Sequence, residues 1–316
     1  MLGPLSWLLI GLALLTMGAD ALVSGASHLA RRWGISPLVV GLTIVALGTS
    51  APEMAVGVFA SISGQGDVAI GNVVGSNISN ICLALGLAAL IRPLTVQMRL
   101  VRFEVPLLIA LSAGLFLFGL AGRISRWNGL ILFIGLIAYT ILLYRWSRGE
   151  RPEVAAEYTE EFSSRNGLLL NILKVLIGFA FLVIGADLLV EGGVGLARWA
   201  GISELVIGLT VIAVGTSLPE MATAILAVWR KKEDIAIGNV LGSNLFNILG
   251  VLGASAIARP IPMQSDLLTR DLPVMGGLTL LLFPLLKTGF VLKQWEGILL
   301  LAIYAIYIWF LFARPI

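Results

Sequence analysis

The chain has 316 residues, of which 58% are hydrophobic and only 12% are charged, whereas a soluble domain is close to a quarter charged. This composition excludes a soluble enzyme and a disordered protein. A nucleic-acid-binding protein is also excluded, because the 21 Lys and Arg residues lie between apolar runs rather than in one basic patch. A single cysteine and a single histidine exclude a disulfide framework and a metal site built from thiolates or imidazoles. The composition therefore predicts a multi-pass membrane protein.

Ten apolar runs reach the length of about 20 residues that a helix needs to cross a bilayer. We predict an all-α protein with spans at residues 5–29, 37–62, 67–91, 103–122, 127–146, 168–197, 204–229, 234–258, 268–286 and 294–313. The acidic segment 147–166 is the longest connection, and we interpret it as a solvated linker. No Lys or Arg precedes the first apolar run, which favours a true span over a signal peptide.

The distribution of basic residues predicts how the spans are oriented. With the amino terminus outside, 15 of the 21 Lys and Arg residues fall on inner loops, in agreement with the positive-inside rule. We therefore expect a cell (inner) membrane protein with both termini outside and the linker 147–166 in the cytoplasm.

The second half of the transmembrane sequence repeats the first half. Residues 18–93 and 185–260 align at a constant offset of 167 and are identical at 42 of 76 positions. The copies begin with spans 1 and 6, so they cross the membrane in opposite directions. Such inverted repeats are typical of secondary transporters, which bind substrate near the midplane between the copies. We predict a 5+5 arrangement with repeats at 1–146 and 167–316; a duplicated scaffold without transport activity is the alternative.

Each copy places a carboxylate within an apolar span. The pattern Gly-Thr-Ser-x-Pro-Glu occupies residues 48–53 in span 2 and residues 215–220 in span 7. A charged side chain at the bilayer centre costs at least about 3 kcal/mol, and such residues are usually functional. We expect Glu53 and Glu220 to converge on one point, because the repeat relates them by a twofold axis.

The proline before each glutamate predicts a break in the helix. Pro52 and Pro219 have no amide hydrogen to donate to the carbonyl four residues earlier. We therefore expect the carbonyls of residues 46–49 and 213–216 to lack helix partners, and a bound cation would satisfy them. A plain proline kink, with these carbonyls satisfied by threonine hydroxyls, is the alternative.

Spans 3 and 8 carry a second polar pattern, Gly-Asn-Val-x-Gly-Ser-Asn-x-x-Asn, at residues 71–80 and 238–247. Polar residues that recur every four positions share one helix face. For Asn72 and Asn239, interhelical hydrogen bonding and cation binding are both open. The better ligand candidates are Ser76, Asn80, Ser243 and Asn247.

The candidate ligands are carboxylate, hydroxyl, amide and carbonyl oxygens, which suit hard cations. Mg2+ usually keeps several waters, so a site this rich in protein oxygens favours Ca2+ or Na+. An empty pair of carboxylates carries a charge near −2, and moving it across the barrier in a low dielectric is costly unless Ca2+, Na+ or a proton neutralises it. Ions that compete for the same oxygens predict antiport.

At these residues the sequence resembles the calcium/cation antiporter superfamily, specifically the prokaryotic Na+/Ca2+ exchanger family, over essentially the whole chain. The resemblance implies exchange of Na+ for Ca2+, with spans 1 and 6 as the sliding pair that switches access. Ca2+ is implied to bind Glu53, Glu220 and the backbone oxygens of Thr49 and Thr216. Flanking Na+ sites are implied at Ser50, Ser76, Ser217, Ser243 and the carbonyls of Ala46 and Ala213. We expect no resident cofactor, no enzymatic activity and no obligatory protein partner besides the lipid bilayer.

Other residues bear on which ions are transported and on the alternatives to Na+/Ca2+ exchange. K+-dependent relatives carry an acid at the position of Asn247, so Asn80 and Asn247 together argue against K+ co-transport. An H+/Ca2+ antiporter of the same superfamily is the runner-up, and the inverted repeat argues against a cation channel. Asp20 and Asp187, which the repeat relates, could line an ion path or form a helix contact, and we favour the helix contact.

Overall fold

The computed structural model describes residues 2–147, 167–200 and 215–313, which are mostly helical. The α-helices are Leu2–Trp33, Pro37–Val40, Ala46–Thr49, Ala51–Ile62, Gly66–Ser79, Leu85–Ile91, Val105–Leu120, Arg126–Ser147, Leu168–Trp199, Leu218–Trp229, Glu233–Phe246, Leu252–Ala258, Leu272–Lys287 and Gln294–Ala313. Within these ranges π-helical turns occupy Gly41–Val45, Asn80–Ala84, Leu100–Glu104, Asn247–Val251 and Leu267–Asp271. Two-residue strands lie at Leu94–Thr95, Arg123–Ile124, Ile261–Pro262 and Val291–Leu292.

The predicted class of multi-pass helical membrane protein is confirmed. In the described ranges, eight helices are long and apolar enough to cross a membrane, and the bent pair Pro37–Thr49 and Ala51–Ile62 makes a ninth candidate. Helix Leu218–Trp229 matches the second half of the predicted span 204–229, whose first residues lie outside the described ranges. The count of ten and the 5+5 arrangement therefore stay predictions. The predicted linker, apart from Ser147, also lies outside the described residues.

The chain forms two compact units, and each unit draws on both sequence copies. One unit contains Met1–Pro52 and Ala138–Asn239, and the other contains Glu53–Ile137 and Val240–Ile316. A boundary therefore falls within each of the two polar patterns, immediately before Glu53 in one and immediately after Asn239 in the other.

In the first unit, the helices Leu2–Trp33 and Leu168–Trp199 pack along a seam of glycines. A Cβ added at Gly18 would lie 2.8 Å from the Leu182 nitrogen and 2.9 Å from the Gly178 oxygen. Glycine has no Cβ, so the two backbones touch, and a seven-residue spacing keeps the same face toward the partner. The offset of 167 converts one set of seam glycines into the other, so duplication produced a self-complementary seam. The seam glycines are Gly11, Gly18, Gly25, Gly178, Gly185 and Gly192.

In the second unit, two short antiparallel ribbons join the copies. Leu94 pairs with Leu292, and Ile124 pairs with Ile261. An offset of 167 relates Leu94 to Ile261, and an offset of 168, which also aligns Trp127 with Trp295, relates Ile124 to Leu292. Each ribbon is therefore the repeat equivalent of the other. The duplication is therefore visible in tertiary pairing as well as in sequence.

Helix packing within the second unit also uses glycines in equivalent places. A Cβ at Gly86 would lie 3.1 Å from the Gly297 oxygen, and a Cβ at Gly129 would lie 2.7 Å from the Gly253 oxygen. Gly86 and Gly253 are themselves 167 residues apart. Gly86 and Gly253 each lie two residues after a π-helical turn, Asn80–Ala84 in one copy and Asn247–Val251 in the other.

We predict that Gly18→Ala destabilises the protein by about 1–3 kcal/mol, because the new methyl meets backbone atoms that cannot move alone. Gly114→Ala is the matched control, since no described atom lies within 4 Å of a Cβ there, and alanine is the better helix former. The measurement is thermal unfolding in detergent, with size-exclusion chromatography as the readout. Equal stability of the two variants would contradict the seam.

Candidate functional site

The predicted helix break lies at Ser50. Helix Ala46–Thr49 ends there, the next helix begins at Ala51, and the two directions differ by 48°. Ser50 has φ −86° and ψ 8°, and its repeat equivalent Ser217, which precedes helix Leu218–Trp229, has φ −87° and ψ 1°. Both copies therefore have the same non-helical backbone conformation at the serine that precedes the proline by two positions.

The sequence-predicted ligands lie in the protein interior. Glu53 and Glu220 are fully buried, and Thr216 is half-buried. Burial of an ionisable group in an apolar setting has to be offset by hydrogen bonds or by a counter-charge. The other buried candidates are Ala46, Thr49, Ser50, Ser76, Asn80, Ser217, Ser243 and Asn247.

In the first unit, side chains from both copies meet around Glu220. The Ser50 hydroxyl donates to Oε1 of Glu220 at 3.2 Å. The Thr49 hydroxyl lies 3.1 Å from Oδ1 of Asn239, and the Asn239 amide donates to the Glu220 carbonyl at 3.4 Å. Thr49 and Ser50 belong to the first copy, whereas Glu220 and Asn239 belong to the second copy. The fold thus joins residues that the sequence separates by about half the chain.

The amides of Asn72 and Asn239 have equivalent structural roles. Asn72 donates to the main-chain carbonyl of Glu53 at 3.3 Å, as Asn239 does to that of Glu220. Of the two interpretations open for these asparagines, the structure supports hydrogen bonding between helices. The bond holds the first turn of each glutamate-bearing helix, where Pro52 and Pro219 leave the normal ladder incomplete.

In the second unit, four asparagines form a symmetric network. Nδ2 of Asn80 donates to Oδ1 of Asn244 at 3.1 Å, and Nδ2 of Asn247 donates to Oδ1 of Asn77 at 3.1 Å. Asn77 and Asn244 also exchange bonds from amide to main-chain carbonyl at 3.4 Å. The network therefore uses the amide hydrogens of Asn80 and Asn247 while leaving their Oδ1 atoms buried without a hydrogen bond among the described residues. An oxygen in that state is suited to a cation.

Asn77 and Asn244 were not among the predicted ligands, although both lie within the second polar pattern. The π-helical turns that begin at Asn80 and Asn247 were not predicted either. Such widened turns often occur at functional sites. The two π-helical turns occupy the same position in each repeat, and this structural signal marks Asn80 and Asn247.

One predicted feature is wrong and one cannot be described. The Ala46 carbonyl accepts the Ser50 amide at 3.0 Å and lies 3.4 Å from the Thr49 hydroxyl, so it is not bare. The proline removes the bond to the Gly48 carbonyl, not the one to Ala46, which is why the expected gap was too wide. Ala213 lies outside the described residues.

Gly48 receives an aromatic ring from the seam helix. A Cβ added there would overlap the ring of Phe179, which belongs to helix Leu168–Trp199. The equivalent Gly215 is approached by Val190 of the same helix. An apolar side chain therefore packs against the glycine that precedes the Thr-Ser pair in each copy.

We predict that Gly48→Ala lowers thermal stability, because the methyl displaces the Phe179 ring. Phe179→Ala in the same background should recover part of the loss, so the two changes should couple by about 1 kcal/mol or more in a double-mutant cycle. The measurement is the thermal unfolding of the four proteins in detergent. Simple additivity would contradict the contact.

Comparisons with known proteins agree with this arrangement. The chain matches the family described as Sodium/calcium exchanger protein over residues 4–145 and 170–313. It is 41% identical over 274 residues to the inner membrane protein YrbG of Escherichia coli strain K12, covering 85% of this chain and 84% of YrbG. It is 33% identical over 341 aligned residues to the sodium/calcium exchanger MaX1 of Methanosarcina acetivorans, covering 96% and 97% of the two chains.

The fold matches solved structures equally well. A structure of the sodium-calcium exchanger NCX_Mj soaked with Na+ and Sr2+ superposes with a TM-score of 0.83 at 31% identity, covering 97% of this chain and 98% of that one. Family, relatives and fold agree over nearly the full length. The chain therefore belongs to the sodium/calcium exchanger protein family and is a multi-pass membrane antiporter.

Proposed function

We propose that this protein exchanges Na+ for Ca2+ across a cell membrane by alternating access, with Glu53 and Glu220 as the carboxylates that both cations share. The observation that carries the proposal is the contact between Ser50 and Glu220 at 3.2 Å. It brings the Thr-Ser pair of one copy to the carboxylate of the other, and Glu53 follows Ser50 by three residues. A site near the midplane between inverted copies is typical of secondary transporters.

The proposed ligands are all oxygen donors, which favours a hard cation. Glu53 and Glu220 supply charge for Ca2+, with main-chain oxygens of Thr49 and Thr216. Asn80 and Asn247 each offer a buried Oδ1, and Ser217 offers a buried hydroxyl without a hydrogen bond in the described part of the chain. Flanking Na+ would bind among the proposed additional donors Ser50, Ser76, Ser217 and Ser243.

Electrostatics explains why such a site exchanges ions rather than releasing them freely. Two ionised carboxylates in a low-dielectric interior repel each other and lose their hydration, so the empty transporter should cross between its two access states slowly. One Ca2+ or several Na+ neutralises the pair and lowers that barrier. Either load therefore permits the transition, and the protein alternates between the two loads.

Two relatives favour Na+ over a proton as the exchanged ion. MaX1 is named a sodium/calcium exchanger, and NCX_Mj is named a sodium-calcium exchanger. The hydroxyl oxygens beside the glutamates suit Na+, whereas a proton would need the carboxylates alone. We also propose that both termini lie outside and that the linker 147–166 is cytoplasmic, from the bias of basic residues.

Neutralising either glutamate tests the site assignment. Glu53→Gln and Glu220→Gln should each reduce Ca2+ uptake to the background of empty vesicles, because the amide keeps the shape but removes the charge that binds Ca2+. Asp187→Asn is the control, since it removes an exposed intramembrane acid outside the proposed site, and it should reduce uptake only partly. Wild-type flux in the Glu220→Gln protein would overturn the assignment.

The coupling ion is tested in proteoliposomes. Vesicles loaded with Na+ should take up radioactive Ca2+, whereas vesicles loaded with K+ or choline should not. An outward proton gradient without Na+ provides the comparison. Uptake driven only by protons would replace Na+ with H+ as the exchanged ion, and uptake under neither gradient would refute the proposed transport.

A further inference from the structure

The first unit contains a polar cavity that the proposed exchange mechanism does not use. Its volume is about 260 Å3. Helix Leu2–Trp33 contributes Asp20, Ser24, Ser27 and His28 to its lining, and the turn after helix Leu218–Trp229 contributes Arg230 and Lys232. The cavity thus combines a guanidinium, an ammonium and hydroxyl groups, which are the donors that proteins use to bind phosphate.

A tight turn brings the two basic side chains to the same cavity. The Lys231 amide donates to the Val228 carbonyl at 2.9 Å, and the Lys232 amide donates to the Ala227 carbonyl at 2.7 Å. This pattern caps the helix and reverses the chain direction. Lys231 adopts φ 57° to make the turn.

The basic turn belongs to one copy only. The repeat equivalents of Arg230, Lys231 and Lys232 are Ser63, Gly64 and Gln65. Gly64 makes the same turn at φ 83°, which glycine adopts without strain. The second copy instead holds a lysine in the left-handed region, which costs of order 1 kcal/mol. The positive-inside rule accounts for the charge of this loop, but not for the cavity that Arg230 and Lys232 line.

Arg230 already forms an ion pair with the Asp20 carboxylate in this cavity. Its Nη2 lies 2.5 Å from Oδ1 of Asp20, and the two side chains are 59% and 44% exposed. The contact agrees with the helix-contact interpretation of Asp20. Since ion pairs at this exposure contribute little stability, Arg230 can exchange the Asp20 carboxylate for a phosphate, which accepts two parallel hydrogen bonds and carries at least equal charge.

We propose that this cavity is a phosphate-binding site, occupied by the headgroup of an anionic lipid or by free phosphate. Arg230 and Lys232 supply the charge, and the Ser24 hydroxyl supplies a neutral donor. Basic pockets between transmembrane helices on the cytoplasmic side suit anionic headgroups, and the bias of basic residues places this loop on that side. Bound phosphate would separate Asp20 from Arg230 and so loosen the link between the first helix and the loop after Trp229.

The test uses the purified full chain and two probes. Native mass spectrometry would count phosphatidylglycerol bound to the protein, with phosphatidylcholine as the zwitterionic comparison. Calorimetry would measure inorganic phosphate binding in detergent. Retention of phosphatidylglycerol alone would identify a lipid headgroup, whereas binding of inorganic phosphate would identify a free anion. Both readouts are independent of Ca2+ flux, so failure of this proposal is distinguishable from failure of the proposed exchange.

The variants separate the cavity from the general charge of the loop. The single variant Arg230→Gln, which removes one positive charge from the cavity lining, should weaken binding by about fivefold or more. Lys231→Gln is the matched control, because it removes charge from the same turn without lining the cavity, and it should change binding less than about twofold. Equal losses in both proteins would overturn the proposal, as would the failure of wild type to bind either probe.

Asp20→Asn tests independently whether Asp20 and phosphate compete for Arg230. Removing the competing carboxylate should tighten phosphate binding, by about tenfold if Asp20 and phosphate exclude each other. A purely structural ion pair predicts no gain, because neutralising Asp20 would then only loosen the helix contact. Unchanged or weaker binding in Asp20→Asn would contradict displacement of Asp20 by the ligand.

Discussion

The free-energy cost of keeping a carboxylate out of water determines which polar groups the interior of this protein needs. Glu53 and Glu220 are fully buried in apolar helices, and a buried charge is tolerated only where polar partners or a counter-ion compensate it. Many of the polar features of the interior can be understood from this requirement. Asn72 and Asn239 donate to the main-chain carbonyls of the two glutamates. The Ser50 hydroxyl, at the break in the first copy, donates to the Glu220 carboxylate. If those acids bind the transported cations, then the groups that make the site costly when empty also make ion exchange obligatory.

Glycines have a different role in the fold. They let helices pack closely, because they have no side chain to separate the backbones. Along the seam between Leu2–Trp33 and Leu168–Trp199, backbone meets backbone at successive heptad positions, so the two helices have few side chains to interlock. The contact is instead made by main-chain atoms, which holds the two helices closely packed. The Phe179 ring on Gly48 connects this pair to the helix break that precedes Glu53.

The features that depend on local chemistry and on duplication could be predicted from the sequence. Apolar run lengths predicted membrane helices, and Pro52 predicted the break at Ser50. Pro219 indicated the matching backbone conformation at Ser217, and the offset of 167 identified equivalent residues in the aligned segments of the two copies. Features that depend on tertiary packing could not be predicted in the same way. The roles of Asn77 and Asn244 follow from reciprocal bonds across the fold, and no spacing within one helix reveals them. The bond from Ser50 to the Ala46 carbonyl was missed because the proline affects one carbonyl and not its neighbours. The π-helical turns were missed because a single inserted residue per turn leaves hydropathy unchanged.

The proposed mechanism requires Na+ and Ca2+ to compete for the same buried glutamates. Equilibrium binding of radioactive Ca2+ to the purified protein, measured at increasing Na+ with ionic strength held constant by choline, tests this requirement most directly. We predict that Na+ raises the apparent Kd for Ca2+ without changing the maximal binding, and that the Kd rises more steeply than the first power of the Na+ concentration, because several Na+ replace one Ca2+. A Ca2+ affinity that is unchanged at saturating Na+ would contradict the mechanism, since the two ions would then occupy separate sites.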